Sequence, residues 1–290
     1  MTLERAAVLV TGASSGIGEA CALHLDQLGF QVFAGVRQET AAVALRAKAS
    51  KRLTPVMLDV TNTASIAAAV EIIQAATGGV LHGLVNNAGI VIAGPLEFVP
   101  LEEVRRQLEI NVVGQVAVIQ AVLPLLRQAR GRIVNIGSIS GRSALPFMGP
   151  YSASKFALEA ITDALRVELR PWHIHVSIIE PGAVATPLWE RSVAAADAAL
   201  ENLPPRLHEL YGPVLSMMRE GAVKSARDGI SPAVVAQAVE HALTARRPKK
   251  RYVMGHGTKA LLMLERLPDG LRDWLIARNL PRYGDNEPAA

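Results

Sequence analysis

A single cysteine, Cys21, is all the chain contains, which rules out an intrachain disulfide and any metal site built on cysteine thiolates. It falls on the inward side of a predicted helix, as a buried thiol does. Aromatic residues are scarce at 4%, and 30 basic residues nearly cancel 26 acidic ones. A net charge of +4 with no dense basic face excludes nucleic acid as the expected partner. Long hydrophobic runs are missing too. The stretch 83–96 is interrupted by Asn86, Asn87, three glycines and a proline, and no run of about 18 apolar residues reads as a membrane span. The first apolar run, 6–10, ends in a glycine turn, so no signal peptide is expected. No repeat or low-complexity linker divides the chain. These absences point to one soluble, cytoplasmic domain spanning residues 1–290.

What is present alternates. The fully apolar run 6–10, and the short, mostly apolar runs at 31–35, 54–58, 83–85, 133–136, 176–179 and 251–254, read as strands of a buried sheet. Helical patterns separate them at 16–28 (closed by Gly29), 40–48, a stretch capped by Asn62 or Thr63 and running to 76, 101–128, 151–170, and a helix opened by Ser231-Pro232. The order predicts an α/β fold, a doubly wound parallel sheet in a three-layer α/β/α sandwich. Segment 186–229 shows no clear pattern and is expected to be irregular. Residues 187–230 read as a lid, and 256–290 as a C-terminal extension with short amphipathic helices at 261–267 and 271–280.

Two local patterns carry chemistry. The first is Thr11-Gly-Ala-Ser-Ser-Gly-Ile-Gly18, between the first strand and the first helix. Gly12, Gly16 and Gly18 allow a sharp turn and a close backbone approach, and the helix N-terminus offers unpaired N–H groups to an anion. Ser14, Ser15 and Ile17 belong to the same turn. The strand that follows ends Ala34-Gly35-Val36-Arg37 with no carboxylate where a ribose 2′-OH would need one. Arg37, helped by Ser14, suits a 2′-phosphate instead, which favours NADP(H) over NAD(H).

The second pattern is Ser138–x12–Tyr151–x3–Lys155. Tyr and Lys at i and i+4 stand on one helix face. A free tyrosine titrates near pKa ~10, and a neighbouring ammonium pulls that value down. A serine hydroxyl from a separate loop can hold a substrate oxygen against the phenol. The set reads as a proton-transfer site for an alcohol or a carbonyl.

With Asn86-Asn-Ala-Gly89, Asn111 and Pro181-Gly182 added in order, the chain resembles the short-chain dehydrogenase/reductase family over residues 5–190. The resemblance implies a Rossmann-type sheet of order 3-2-1-4-5-6-7 with the site at the strand C-terminal ends. It implies Asp59 and Val60 beside an adenine, and Asn87, Ala88 and Gly89 along a ribose. It implies that Asn111 kinks its helix and holds a relay water, and that Ser138 binds the substrate oxygen. Tyr151 would move the proton and Lys155 would bind the nicotinamide ribose. Pro181, Gly182, Val184 and Thr186 would hold the nicotinamide end. A homodimer or homotetramer through the helices of Asn111 and Tyr151 is also implied, with the small residues Ala157, Ala160 and Ala164 compatible with close packing.

The partner expected is a small molecule. Loops 90–95 and 145–148, which hold Leu145 and Phe147, should shape its site. The lid adds Leu188, Trp189, Leu203, Leu207, Tyr211, Val214, Leu215, Met217 and Met218, adaptable apolar groups suited to a bulky lipophilic alcohol or ketone. The long C-terminal region is similar to that of the steroid- and retinoid-active branch. The alternatives are a 3-oxoacyl or hydroxy-acid reductase, and a non-catalytic dinucleotide sensor. The basic run Arg246-Arg-Pro-Lys-Lys-Arg251 reads as a solvated loop, with peripheral membrane contact by the tail a lesser option.

Overall fold

A computed structural model describes residues 6–200 and 205–284. Seven short strands lie side by side, all parallel: β1 (Ala7–Val10), β2 (Gln31–Val36), β3 (Leu53–Met57), β4 (Gly83–Asn86), β5 (Arg132–Ile136), β6 (His175–Pro181) and β7 (Arg251–Met254). Their order is β3-β2-β1-β4-β5-β6-β7, so the chain winds outward from β1 in one direction and from β4 in the other. Where it reverses, β1 pairs with both β2 and β4, Leu9 lying level with Phe33 and with Leu84. A ligand crevice opens at such a switch point, beyond the strand C-terminal ends.

Side chains alternate across the sheet, and β1 shows the consequence. Val8 and Val10 join Cys21 and Leu25 of α1 (Gly16–Gln27) and Val235 and Val239 of α9 (Pro232–Thr244) on one face. Leu9 joins Phe33, Ile66 and Ile73 of α3 (Thr63–Thr77), and Val118, Val122 and Leu126 of α5 (Gly114–Ala129), on the other. Burying one such side chain contributes about 1.5–3 kcal/mol. Truncating Phe33, which is 1% exposed, to alanine should cost about 3–5 kcal/mol. The remaining sheet-flanking helices are α2 (Glu39–Arg46), α4 (Leu101–Leu108) and α6 (Gly149–Glu168).

Helix ends follow the sequence signals. Asn62 accepts a hydrogen bond from the Ser65 N–H at 3.0 Å as the α3 cap, and Gly29 follows α1 with φ +92. Cys21 is fully buried, and desolvation pushes its thiol up to about 12, as an inert core group requires.

Four expectations need correction. The lid segment is helical rather than irregular: α7 (Pro187–Leu200) and α8 (Arg206–Asp228). Pro213 lies inside α8, where it removes one backbone hydrogen bond and its ring crowds the carbonyl one turn back. Leu203 of the expected lid set and the end of the tail, 285–290, lie outside the described residues. Second, the tail helices begin and end earlier than the expected 261–267 and 271–280: they are α10 (Thr258–Leu264) and α11 (Asp269–Ala277). Third, Leu101–Ala129 is long and apolar enough to cross a membrane by length and composition, contrary to the sequence reading. Its inner residues Val118, Val122 and Leu126 are fully buried. Fourth, Arg251, the last residue of the basic run and the first of β7 as the strand reading 251–254 has it, is not solvated but meets three carboxylates.

Candidate active site

Thr11 leaves β1 with its N–H on the Val85 carbonyl at 3.0 Å, and Ala13 donates to Gly35 at 2.8 Å. Between them Gly12 takes φ +65, and Gly16 takes φ +60 at the start of α1, a conformation that a side chain disfavours. The Asn87 amide donates to the carbonyls of Thr11 and Gly12 at 2.9 and 3.1 Å, and its N–H donates to the Thr11 hydroxyl at 2.9 Å. Asn87 thus braces the turn from β4. Gly18 does not face the cavity: a Cβ there would collide with the Gly12 carbonyl and stand 2.5 Å from the Asn87 amide. Its role is to let α1 pack under the turn.

Ser138, at the end of β5, Tyr151 and Lys155 line one cavity. Ser138 accepts from the Ser140 N–H at 3.1 Å, which orients its hydroxyl. That hydroxyl also hydrogen-bonds Tyr151. The Lys155 Nζ stands 5.8 Å from the centre of the Tyr151 ring and donates to the Ile136 carbonyl at 2.8 Å. Asn111 lies in a π-helical turn, Glu109–Val113, between α4 and α5, and such insertions mark functional sites. It is fully buried behind the cavity rather than lining it. It accepts from the Ile90 N–H at 2.9 Å and donates to the Ile90 carbonyl at 3.0 Å and the Ser154 hydroxyl at 3.1 Å. Ser154 in turn donates to the Tyr151 carbonyl at 2.7 Å, so Asn111 joins the β4 loop to the helix of Tyr151 and Lys155.

Burial sets the electrostatics. Desolvation raises the Tyr151 pKa, with the Ser138 hydrogen bond pulling the other way. The phenol therefore sits above its ordinary range in the protein alone, not below it as the Tyr–Lys spacing suggests. Desolvation also lowers Lys155 to about 8, against the attraction of Glu159 one helical turn further on. Burial and then the repulsion of Glu180 raise Glu159 to about 7, opposed by Arg251 and Arg142. Arg251 is 3.1 Å from Glu159 and from Glu180 and 2.7 Å from Asp163, while Arg142 is 3.2 Å from Glu180. This ion network lies directly behind Lys155.

The cavity has a volume of about 1230 Å³. Gly12, Ser14, Ser15, Gly16 and Ile17 line it on the turn. Arg37, Asp59 and Val60 line it past β2 and β3, and Ala88 and Gly89 past β4. Against the upward push of burial, Thr61 hydrogen bonds and the Arg37 charge hold Asp59 below its usual range. Pro181, Gly182, Val184 and Thr186 line it past β6. Leu145, Trp189, Leu207, Leu215 and Met218 give its far wall, closed by Leu261 and Leu275 of the tail.

Phe147 is a correction: it does not line the cavity. At φ +67 its backbone turns the ring outward, onto Tyr211 and Tyr283 at 6.3 and 5.7 Å between centres. Tyr211 also meets Phe98 at 5.9 Å and stacks on Tyr283 at 5.6 Å. Of 3 Trp, 4 Tyr and 5 Phe, two tyrosines and two phenylalanines from four separate segments thus gather beside the cavity. Sequence reasoning also passed over Arg191 of α7, whose Nη2 donates to the Ser15 hydroxyl at 2.8 Å. A lone arginine in an unpatterned segment gave no signal.

The scan against protein families finds the short chain dehydrogenase model over residues 6–197. The chain is 38% identical to 17-beta-hydroxysteroid dehydrogenase type 6 of Bos taurus over 285 residues, 95% of this chain and 89% of that protein. It is 38% identical to retinol dehydrogenase 5 of Mus musculus over 283 residues, with the same coverage of each. Among solved structures, a short chain dehydrogenase of Burkholderia cenocepacia in complex with NADP is 27% identical with a TM-score of 0.72, covering 97% of this chain and 100% of that one. Motif order, sheet order and these likenesses agree: the chain belongs to the short-chain dehydrogenase/reductase family.

Proposed function

We propose that this protein is an NAD(P)-dependent oxidoreductase that interconverts an alcohol and a ketone or aldehyde on a lipophilic substrate of steroid or retinoid size, with Tyr151 as the proton-transfer residue. The observation that carries this reading is the convergence of Ser138, Tyr151 and Lys155 at the junction of the glycine turn and the apolar wall. The cavity fits a dinucleotide on its own terms. Gly12 and Gly16 hold conformations open to glycine, α1 points its free N–H groups at the turn, and the lining runs on from Arg37 to Thr186 without a break. When bound, the nicotinamide group supplies or accepts the hydride at the substrate carbon.

The chain's own residues do the rest. Ser138 holds the substrate oxygen and Tyr151 gives or takes its proton. Lys155, fixed on the Ile136 carbonyl, keeps a positive charge beside the phenol and lowers the cost of phenolate. Asn111 keeps this helix in register with the β4 loop. Arg37, cavity-lining and beside Asp59, favours NADP(H), with its guanidinium on a 2′-phosphate. The lipophilic substrate class rests on the far wall and on the likeness to the steroid and retinol dehydrogenases. The packing of α5 on the sheet favours a cytoplasmic protein, and the exposed Ala160 and Ala164 on α6 suit a homodimer or homotetramer.

The test is a screen of steroid, retinoid, acyl and small aliphatic alcohols and ketones with NADP(H) and NAD(H). Turnover of a steroid or retinoid with higher kcat/KM for NADP(H) is expected. Dinucleotide binding without turnover of any member points instead to a sensor.

A further inference from the structure

We propose that Arg191, carried on the first helix of the lid, binds the pyrophosphate of the dinucleotide and so draws the lid onto the bound cofactor. This rests on the reading of the cavity as a dinucleotide site. The lid begins on top of the phosphate turn: a Cβ placed on Gly16 would stand 3.1 Å from the Thr186 side chain and 4.0 Å from Pro187. One turn into α7, Arg191 reaches back and donates from Nη2 to the Ser15 hydroxyl at 2.8 Å.

Ser15 is the residue that opens α1, with extended backbone and a side chain that caps none of the helix N–H groups. The first N–H groups of α1 therefore face the same space as the guanidinium. Two elements far apart in sequence thus converge on one point, with the guanidinium and the free N–H groups as donors and the Ser15 hydroxyl as the acceptor. Glu19 of α1 and Glu190 of α7 are not among the cavity-lining residues. The carboxylates among the cavity-lining residues, Asp59 and Glu103, lie on neither the turn nor α7. A guanidinium bonds a phosphate oxygen more strongly than a neutral hydroxyl, so a bound pyrophosphate would take over the contact that Ser15 now supplies.

Other contacts anchor α7 close by. Trp189 donates to the Val184 carbonyl at 3.0 Å, and Ser192 donates to the Val91 carbonyl at 3.3 Å. Leu188, Trp189 and Val193 of the same helix line the cavity. An ionic contact at Arg191 therefore settles the apolar wall around a substrate at the moment the cofactor binds.

The experiment compares wild type, Arg191→Met and Arg191→Lys by NADPH fluorescence and by displacement of adenosine 2′-monophosphate, a probe with no pyrophosphate. Arg191→Met is expected to weaken NADPH by roughly tenfold or more while leaving the monophosphate unchanged. Arg191→Lys should fall between, since it keeps the charge and loses the fork. Chymotrypsin cleavage within 187–228 should slow on adding NADPH to wild type and not to Arg191→Met. Wild-type NADPH affinity in Arg191→Met, or equal loss for both probes, would overturn the proposal. Failure of the wild type to bind NADPH would overturn the dinucleotide reading and this proposal with it.

Discussion

The Nζ of Lys155 donates to the carbonyl oxygen of Ile136 at 2.8 Å, tying the ammonium to the strand that also delivers Ser138. That bond places a cation, 5% exposed, in a setting that opposes its charge, and the energetic consequence is measurable. Lys155 is lowered from 10.5 to about 8 by burial. The folded state thus binds fewer protons than the unfolded one between those values, and stability rises with pH across that window. Lys155→Met is therefore expected to be inactive. At pH 7 it escapes a charge-burial cost on the order of a few kcal/mol that the wild type bears. In urea melts from pH 7 to 10.5, the wild type should gain stability relative to the variant. A constant difference over that range would contradict the burial argument.

Glu159 gives the opposite slope. Burial and Glu180 raise it from 4.5 to about 7, so its contribution to stability is full below pH 4.5 and is lost as pH rises through about 7. Glu159→Gln should remove that slope. It should also remove the charge that supports Lys155, letting the lysine titrate below about 8. For ketone reduction, where Lys155 must be charged and Tyr151 protonated, the alkaline limb of kcat/KM should move to lower pH by roughly half a unit or more. A limb that stays in place in a folded Glu159→Gln protein would show that Glu159 serves structure alone.

The ring cluster at the cavity edge predicts a size-dependent effect. Tyr211 contacts Phe98, Phe147 and Tyr283 and donates its hydroxyl to Glu97 at 3.1 Å. These contacts join α8 to the β4 loop, the β5 loop and the tail. Each aromatic pair contributes about 0.5–1.5 kcal/mol beyond its buried area. Tyr211→Ala should loosen the wall, raising KM for a steroid or retinoid severalfold while barely changing it for a small aliphatic ketone. Equal changes for both would detach the cluster from the substrate.

The catalytic set was legible because its chemistry demands fixed residue types at fixed spacings along one chain segment. The sheet was legible because buried parallel strands read as short, mostly apolar runs alternating with helical patterns. Arg191 and Ser15, or Arg251 and Glu159, meet only after the chain folds, and neither member of a pair has a pattern around it. Phe147 misled for a different reason. Its loop was placed correctly, but a positive φ at one residue turned the ring away from the cavity. Gly212-Pro213 hid α8 because the rule that proline breaks helices is an energetic cost, and packing of Leu207 and Val214, 1% and 0% exposed, outweighs it.

The central claim, that Tyr151 moves the proton at this site, is tested most directly by Tyr151→Phe. The change deletes one oxygen and leaves the ring beside Lys155. The account predicts unchanged NADPH affinity and a fall in kcat of at least roughly a thousandfold on any substrate the wild type turns over, within the range general acid–base catalysis supplies. A phenylalanine variant that binds NADPH and keeps kcat within about tenfold of wild type would contradict it.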